Sequence, residues 1–199
     1  HVLQDGDKLQ LGKTTILKFS YHDHLEESFQ KQMLESALRD GLTGTYNKRY
    51  FLDRLDSEIK FSLRHKVNLA LLMMDLDKFK DVNDTHGHLA GDKVLSSFAK
   101  MVQKSIRNED VFARYGGEEF VIITRAISRP DVFADRLRHE ASQLVIESDG
   151  VRIPITVSMG IATIPEDPAS TPQELIKAAD DMLYEAKRGG RNRVIITPH

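Results

Sequence analysis

The chain has 199 residues, 40% of them hydrophobic and 29% charged, with a formal net charge of −2 at pH 7; this is enough apolar material for one domain of roughly 150 residues plus an appendage and excludes a disordered chain. The near-neutral balance excludes a global pull toward nucleic acid or an acidic membrane, so any anion site must be local. There is no cysteine, which excludes disulfides and thiolate metal sites, and no apolar run approaches the roughly 18 residues of a membrane span, nor does the N-terminus carry a signal-peptide pattern. The reading is a cytoplasmic protein with neither nucleic-acid nor membrane partners.

The first residues, His-Val-Leu-Gln-Asp-Gly-Asp, read as a fragment of something longer. Residues 1–20 alternate short apolar pieces with turn residues (Asp5-Gly6-Asp7, Leu9, Leu11, Gly12, Ile16-Leu17-Lys18-Phe19) and predict two or three short strands. Twenty residues cannot bury a core, so they read as the end of a β-rich domain. Leu25, Phe29, Met33, Leu34 and Leu38 then recur at steps of three and four and predict an amphipathic helix over 25–39. Two readings stand: a linker and dimer stalk spanning 21–39, or a helix packed on its own domain. Asp40-Gly41-Leu42-Thr43-Gly44 breaks the helix and opens the main domain, 40–199. There the patterns predict helix 47–65, strand 68–75, helix 90–106, strands 111–115 and 119–124, helix 130–146, strand 151–160, helix 171–188 and strand 193–197. Helices alternating with short apolar strands, two of them a hairpin, give an α/β sandwich with a central mixed sheet flanked by helices. The order β-α-β-β-α-β is ferredoxin-like with extra elements.

The apolar run 69–74 suits a buried central strand, and it ends in Asp75-Leu76-Asp77, two carboxylates expected on one face. A carboxylate in the mouth of so apolar a strand is costly unless a divalent cation repairs the cost. Glu118 on the neighbouring hairpin would complete a magnesium site together with phosphate oxygens. The hairpin tip is read as Gly116-Gly117, a two-residue turn needing positive φ, whose bare backbone lets a ligand approach; taken alone it is also an ordinary solvated tip. Lys80 is close enough in sequence to reach phosphates near Asp75. Asn83 and Asp92 together suit a guanine edge, because a carboxylate accepts from its N1–H and 2-amino group; separately they read as a turn residue and a surface acid. Lys187 and Arg191 flank the end of the last helix, either as routine basic capping or as ligands of a triphosphate. His22, His24, His86 and His88 lack partner ligands in the sequence and read as structural or solvated.

These pieces together resemble the GGDEF family, the diguanylate cyclases. The matching residues are Asp40-Gly41-Leu42-Thr43-Gly44 with Asn47, Asp75 to Lys80, Asn83-Asp84, Gly87-His88, Gly91-Asp92, Arg114-Tyr115-Gly116-Gly117-Glu118-Glu119-Phe120, Ser158-Met159-Gly160-Ile161-Ala162, Ala179-Asp180, Tyr184, Ala186-Lys187 and Gly190-Arg191-Asn192, in the family's order over 40–197. The name-giving motif has Glu118 where many members have Asp. The resemblance implies a nucleotidyl-cyclase-type fold and condensation of two GTP into cyclic di-GMP, with release of two pyrophosphates, across a homodimer. It implies two magnesium ions (manganese in their place) per GTP site, held by Asp75, Glu118 and the Leu76 carbonyl, and a catalytic role for Glu119 at the metal or in proton transfer. It further implies guanine recognition by Asn83 and Asp92, phosphate binding by Lys80, Lys187 and Arg191, and the Gly116-Gly117 turn against the triphosphate. Arg107-Asn108-Glu109-Asp110 matches the family's Arg-x-x-Asp product-inhibition motif, with Arg136 as accessory arginine; without the family this pair reads as a surface ion pair. A five-residue strand of roughly 15–17 Å separates that motif from the glycine turn. A catalytically silent cyclic di-GMP sensor is the alternative. Residues 1–20 are similar to the closing strands of forkhead-associated domains, which implies a phosphopeptide partner through a portion not present here.

Overall fold

The computed structural model describes residues 2–20, 24–164 and 171–197; His22 and the tip of the 163–172 connection lie outside them. Two compact units divide near residue 37. In the first, β1 (Lys8–Leu11) and β2 (Thr15–Lys18) form an antiparallel hairpin. Gly12 takes φ +67° at its turn, a conformation glycine adopts without a Cβ clash. Helix α1 (His24–Leu38) follows; Phe29, Met33 and Leu34 are exposed on it.

The second unit is built on β3 (Tyr46–Asn47), β4 (Leu69–Leu76), β5 (Val111–Arg114), β6 (Glu119–Arg125), β9 (Val157–Thr163) and β10 (Val194–Ile196), ordered β10-β9-β4-β6-β5-β3. The outer pairs are parallel and the inner ones antiparallel, a mixed sheet as expected. The inner four strands carry the ferredoxin-like order. Every residue of β4 is buried, because both faces are covered. Ala70, Leu72, Met74 and Leu76 pack with α4 (His88–Ser105) and α5 (Pro130–Ser142) on one face. Leu69, Leu71 and Met73 pack with α2 (Lys48–His65) and α6 (Pro172–Arg188) on the other. Burial on both faces is why the sequence reads as a continuous apolar run rather than an alternation. Helix ends follow local chemistry: Asn47 caps α2 by accepting from the Tyr50 N–H, and Thr171 with Glu174 forms a reciprocal capping box on α6.

Four expectations are corrected. The strand expected at 151–160 is two separate pieces. β7 (Glu147–Ser148) pairs with β8 (Val151–Arg152) about Asp149-Gly150, both at positive φ, and β9 starts only at Val157. Asp-Gly is a hairpin signal; the helix expected to reach 146 ends at Ser142, with Gln143 as its C-cap. A short helix, α3 (Phe79–His86), occupies a segment for which no element was expected; only Phe79 is buried on it, so its apolar periodicity is faint. The Gly116-Gly117 tip is a four-residue loop, 115–118, in which neither glycine has positive φ. Tyr115 and Gly116 N–H groups both donate to the Glu119 carbonyl (2.8 and 3.3 Å). Loops of this length are commonly built on type I turns, whose φ values are negative.

Gly160 on β9 sits where a Cβ would lie 2.1 Å from the Ala179 carbonyl oxygen and 2.2 Å from the Leu183 nitrogen of α6. Backbone cannot swing aside as a side chain can. Gly160→Ala should therefore cost about 3 kcal/mol or more, read as a lowered urea midpoint with unchanged m-value.

Candidate active site

β4 is the strand from which the site is built. Its register sets Asp75 opposite Glu119 of β6 on one side and Ser158 of β9 on the other. The Leu76 N–H donates to the Glu118 carbonyl at 3.4 Å, which draws the glycine loop against the end of β4. Asp75 is only 7% exposed and is met by the Lys187 ammonium from the last turn of α6, Nζ to Oδ2 2.6 Å. Burial pushes the Asp75 carboxyl up to about 6 despite Lys187; the charges of Glu118 and Glu119 add to the rise. Three carboxylates thus surround one strand end. Among the described residues no three carboxylate or imidazole side chains form a ready-made metal cage. Two carboxylates could hold a cation only together with oxygens from a ligand or the backbone.

Asp77 does something the sequence did not reveal. Its carboxylate accepts from the Ser158 and Thr156 hydroxyls (2.6 and 2.7 Å) and from the Asn192 N–H at 3.0 Å. Next, the chain passes through Lys78 at φ +56° into α3. Helices α3 and α4 meet at Gly87, whose φ of +81° makes the elbow. Gly91 lies so close to α3 that a Cβ there would fall 2.0 Å from Asn83 Oδ1. Asn83 therefore packs against Gly91, the residue that precedes Asp92. Lys80 is exposed on α3. Arg191 is exposed in the turn after α6, its N–H bonded to the Ala186 carbonyl at 3.0 Å.

Arg114 carries no role in the sequence reading beyond motif membership. Its Nη1 reaches both Asp40 oxygens at 3.2 Å, while Nε and Nη2 donate to the Gly117 carbonyl (3.0 and 2.8 Å). The Asp40 carboxyl is raised by burial, but hydrogen bonds from Thr43 and the Arg114 charge outweigh this and hold it below the usual range. At Gly117 a Cβ would meet nothing within 4 Å, so the outer side of the loop is open.

Arg107, Asp110 and Arg136 line a separate cavity of about 370 Å³ with Ser105 and Phe133. Asp110 is 7% exposed; its Oδ2 accepts from the Arg107 N–H at 2.9 Å, while Oδ1 is buried with no partner. The contact runs through Arg107 backbone rather than its guanidinium, unlike a surface ion pair. Arg136 donates to the Ser105 carbonyl at 2.9 Å and pairs with Glu140 at 3.2 Å. β5 begins directly after Asp110 and ends before the glycine loop, which puts roughly 13 Å of strand between the two places.

The Asp75 environment yields a titration test. Carboxylate NMR should find Asp75 near 6; Lys187→Met should raise it further, and Glu118→Gln should lower it. The folded value lies above the ordinary 3.8, so ionisation opposes folding. This group's contribution to stability is complete below about pH 4, is lost as pH rises to about 6, and is constant above.

The family model described as diguanylate cyclase, GGDEF domain, matches residues 37–193. Diguanylate cyclase A of Treponema denticola is 39% identical over 171 residues, covering 83% of this chain and 46% of that protein. The response regulator PleD of Caulobacter vibrioides is 36% identical over 187 residues, covering 92% of this chain and 41% of that protein. The chain thus spans less than half the length of these curated relatives. Among solved structures, the coiled coil and GGDEF domain of DgcB from Caulobacter crescentus in complex with c-di-GMP superposes with a TM-score of 0.80 at 31% identity, covering 86% of this chain and 91% of that one. With the fold, the ordered motifs and the family match in agreement, the chain belongs to the diguanylate cyclase GGDEF-domain family.

Proposed function

We propose that this domain condenses two GTP molecules into cyclic di-(3′→5′)-GMP. The observation that carries the reading is the convergence of Asp75, Glu118 and Glu119 with Lys187 beside a bare glycine loop. A buried carboxylate raised by burial and by neighbouring acids is a poor resting place for a lone charge and a good one for a divalent cation. Asp75, Glu118 and the Leu76 carbonyl would hold magnesium, or manganese, two ions per GTP. Bound there, a divalent cation would lower the pKa of the attacking hydroxyl and stabilise the charge on the leaving pyrophosphate.

The chain's own groups do the remaining work. Asn83 and Asp92 hold the guanine edge. Lys187, Arg191 and Lys80 offer cations to the triphosphate, and the open face at Gly116-Gly117 admits it without a side chain in the way. Glu119 stands beside Asp75 to receive the hydroxyl proton or to support the cation. In each of two steps a 3′-oxygen bonds to an α-phosphorus, the bond from that phosphorus to the bridging oxygen breaks, and pyrophosphate leaves. One domain presents one GTP, so two domains of a homodimer face each other, and their fixed orientation contributes about 7 kcal/mol or more as effective molarity.

Arg107, Asp110 and Arg136 form the feedback site for cyclic di-GMP. The unpartnered, buried Asp110 Oδ1 supports this, since it awaits a donor such as a guanine N–H. The DgcB structure with c-di-GMP supports product binding to this fold. A silent sensor is disfavoured because the metal carboxylates, the glycines and the Asn83–Asp92 pair are all present. The hairpin β1–β2 is read as the closing strands of a forkhead-associated domain with a phosphopeptide partner, on sequence pattern alone.

Incubation with magnesium and GTP should yield cyclic di-GMP by chromatography, and Glu118→Gln should abolish it; product undiminished in that variant would refute the metal assignment. Arg107→Ala should raise the product concentration giving half-inhibition by about tenfold, the worth of one charged hydrogen bond.

A further inference from the structure

The turn that follows α6 is conformationally expensive. Gly190, Arg191 and Asn192 all have positive φ, +115°, +64° and +44°. For residues with a Cβ the left-handed region costs about 1–2 kcal/mol each, and such a backbone persists only where its surroundings over-determine it. Here the surroundings are specific. The Asn192 N–H donates to Asp77 Oδ2 at 3.0 Å, and the Asn192 side-chain oxygen accepts from Arg138 Nη1 of α5 at 3.0 Å. Arg138 is itself held by Asp135 at 2.7 Å. Asp77 is fixed in turn by Ser158 and Thr156 hydroxyls and by its own N–H to the Thr156 carbonyl at 2.9 Å. A carboxylate has about four acceptor positions, and three are already filled by protein donors. That occupancy sets Asp77 apart from Asp75, whose charged partner is the single Lys187 ammonium.

We infer that Asp77, braced by Arg138 through Asn192, is a positioning residue that holds the turn and so presents Arg191 to the triphosphate. This rests on the reading of Arg191 as a phosphate ligand given above. The Asp77 carboxylate is taken up by protein donors, the Ser158 and Thr156 hydroxyls and the Asn192 N–H, and it acts through the backbone of Asn192, one residue from the guanidinium that matters. The second carboxylate of the Asp75-Leu76-Asp77 pair thereby serves the phosphate end of the site, while the first serves the cation end.

The test measures affinity for the α,β-methylene analogue of GTP with magnesium, on the whole chain, for Asp77→Asn, Arg191→Ala and the double variant. Asp77→Asn should weaken the analogue about tenfold, yet less than about twofold further once Arg191 is alanine. Arg138→Met, a change at a half-buried side chain that leaves Asp77 in place, should weaken it by a smaller factor, about threefold, and likewise only with Arg191 present. Hydrogen exchange at the Asn192 amide should quicken in Asp77→Asn. An undiminished tenfold loss in the Arg191→Ala background, or no loss with Arg191 intact, overturns the inference. Should Arg191→Ala alone leave affinity unchanged, the phosphate reading of Arg191 fails instead, and Asn192 exchange decides whether Asp77 holds the turn; exchange as slow as in the parent refutes it.

Discussion

A carboxylate at the end of a strand buried on both faces is the constraint on which the site depends. β4 pairs antiparallel over residues 69–75 with β6 and over residues 70–76 with β9, so its register fixes at once what lies on either side of Asp75. Glu119 comes from β6 and Ser158 from β9, and the layer beneath is α6 with Lys187. Helix α6 can approach that closely because Gly160 removes the side chain that would hold it off. Packing and electrostatics therefore come from one arrangement: the same closeness that fills the core desolvates Asp75 and raises it to about 6. In the proposed reading, the cost of that desolvation would drive recruitment of a cation.

Much of this was legible in the sequence, for physical reasons that differ by element. The long apolar run of β4 and the strongly periodic helices α2, α4 and α6 were read within a residue or two of their observed bounds, because burial on one or two faces dominates their composition. Element α3 was not, since a single buried phenylalanine leaves almost no period to read. The 147–152 hairpin was hidden by a helical pattern running into it, although Asp149-Gly150 was there to be seen. Of the site, the acids and glycines were legible as types, and their meeting at one strand end follows from the pairing register. The partners were not: that Lys187 rests on Asp75, that Asp77 holds Asn192 and that Arg114 reaches Gly117 all depend on side chains whose sequence separations carry no periodic signal.

The two proposed ligand sites divide the same hairpin. Asp110 precedes β5 and the glycine loop follows it, so a rigid strand paired on both sides separates them. A ligand at Asp110 cannot touch a nucleotide at the loop directly. Any influence of one on the other travels through the elements that β5 and α5 share, or through the juxtaposition of two copies.

The glycine loop shows why residues can be constrained for reasons other than backbone conformation. Neither Gly116 nor Gly117 needs glycine's conformational range. A Cβ at Gly116 would sit 2.8 Å from Glu119 Oε2, crowding an acid that stands beside Asp75, and at Gly117 a Cβ would meet only open space. The loop is held from behind instead. Arg114 grips the Gly117 carbonyl with two donors and is itself anchored by Asp40, which the Thr43 N–H and hydroxyl fix in place at 2.9 and 2.7 Å. With its carbonyl secured on the inner side, the loop keeps its outer face free of side chains without relying on turn geometry for rigidity. The planar fork of an arginine can bridge two acceptors in this way and a lysine cannot. The Asp40 turn at the entry to the domain is thereby part of the site, although it lies seventy-four positions before Arg114 in the chain.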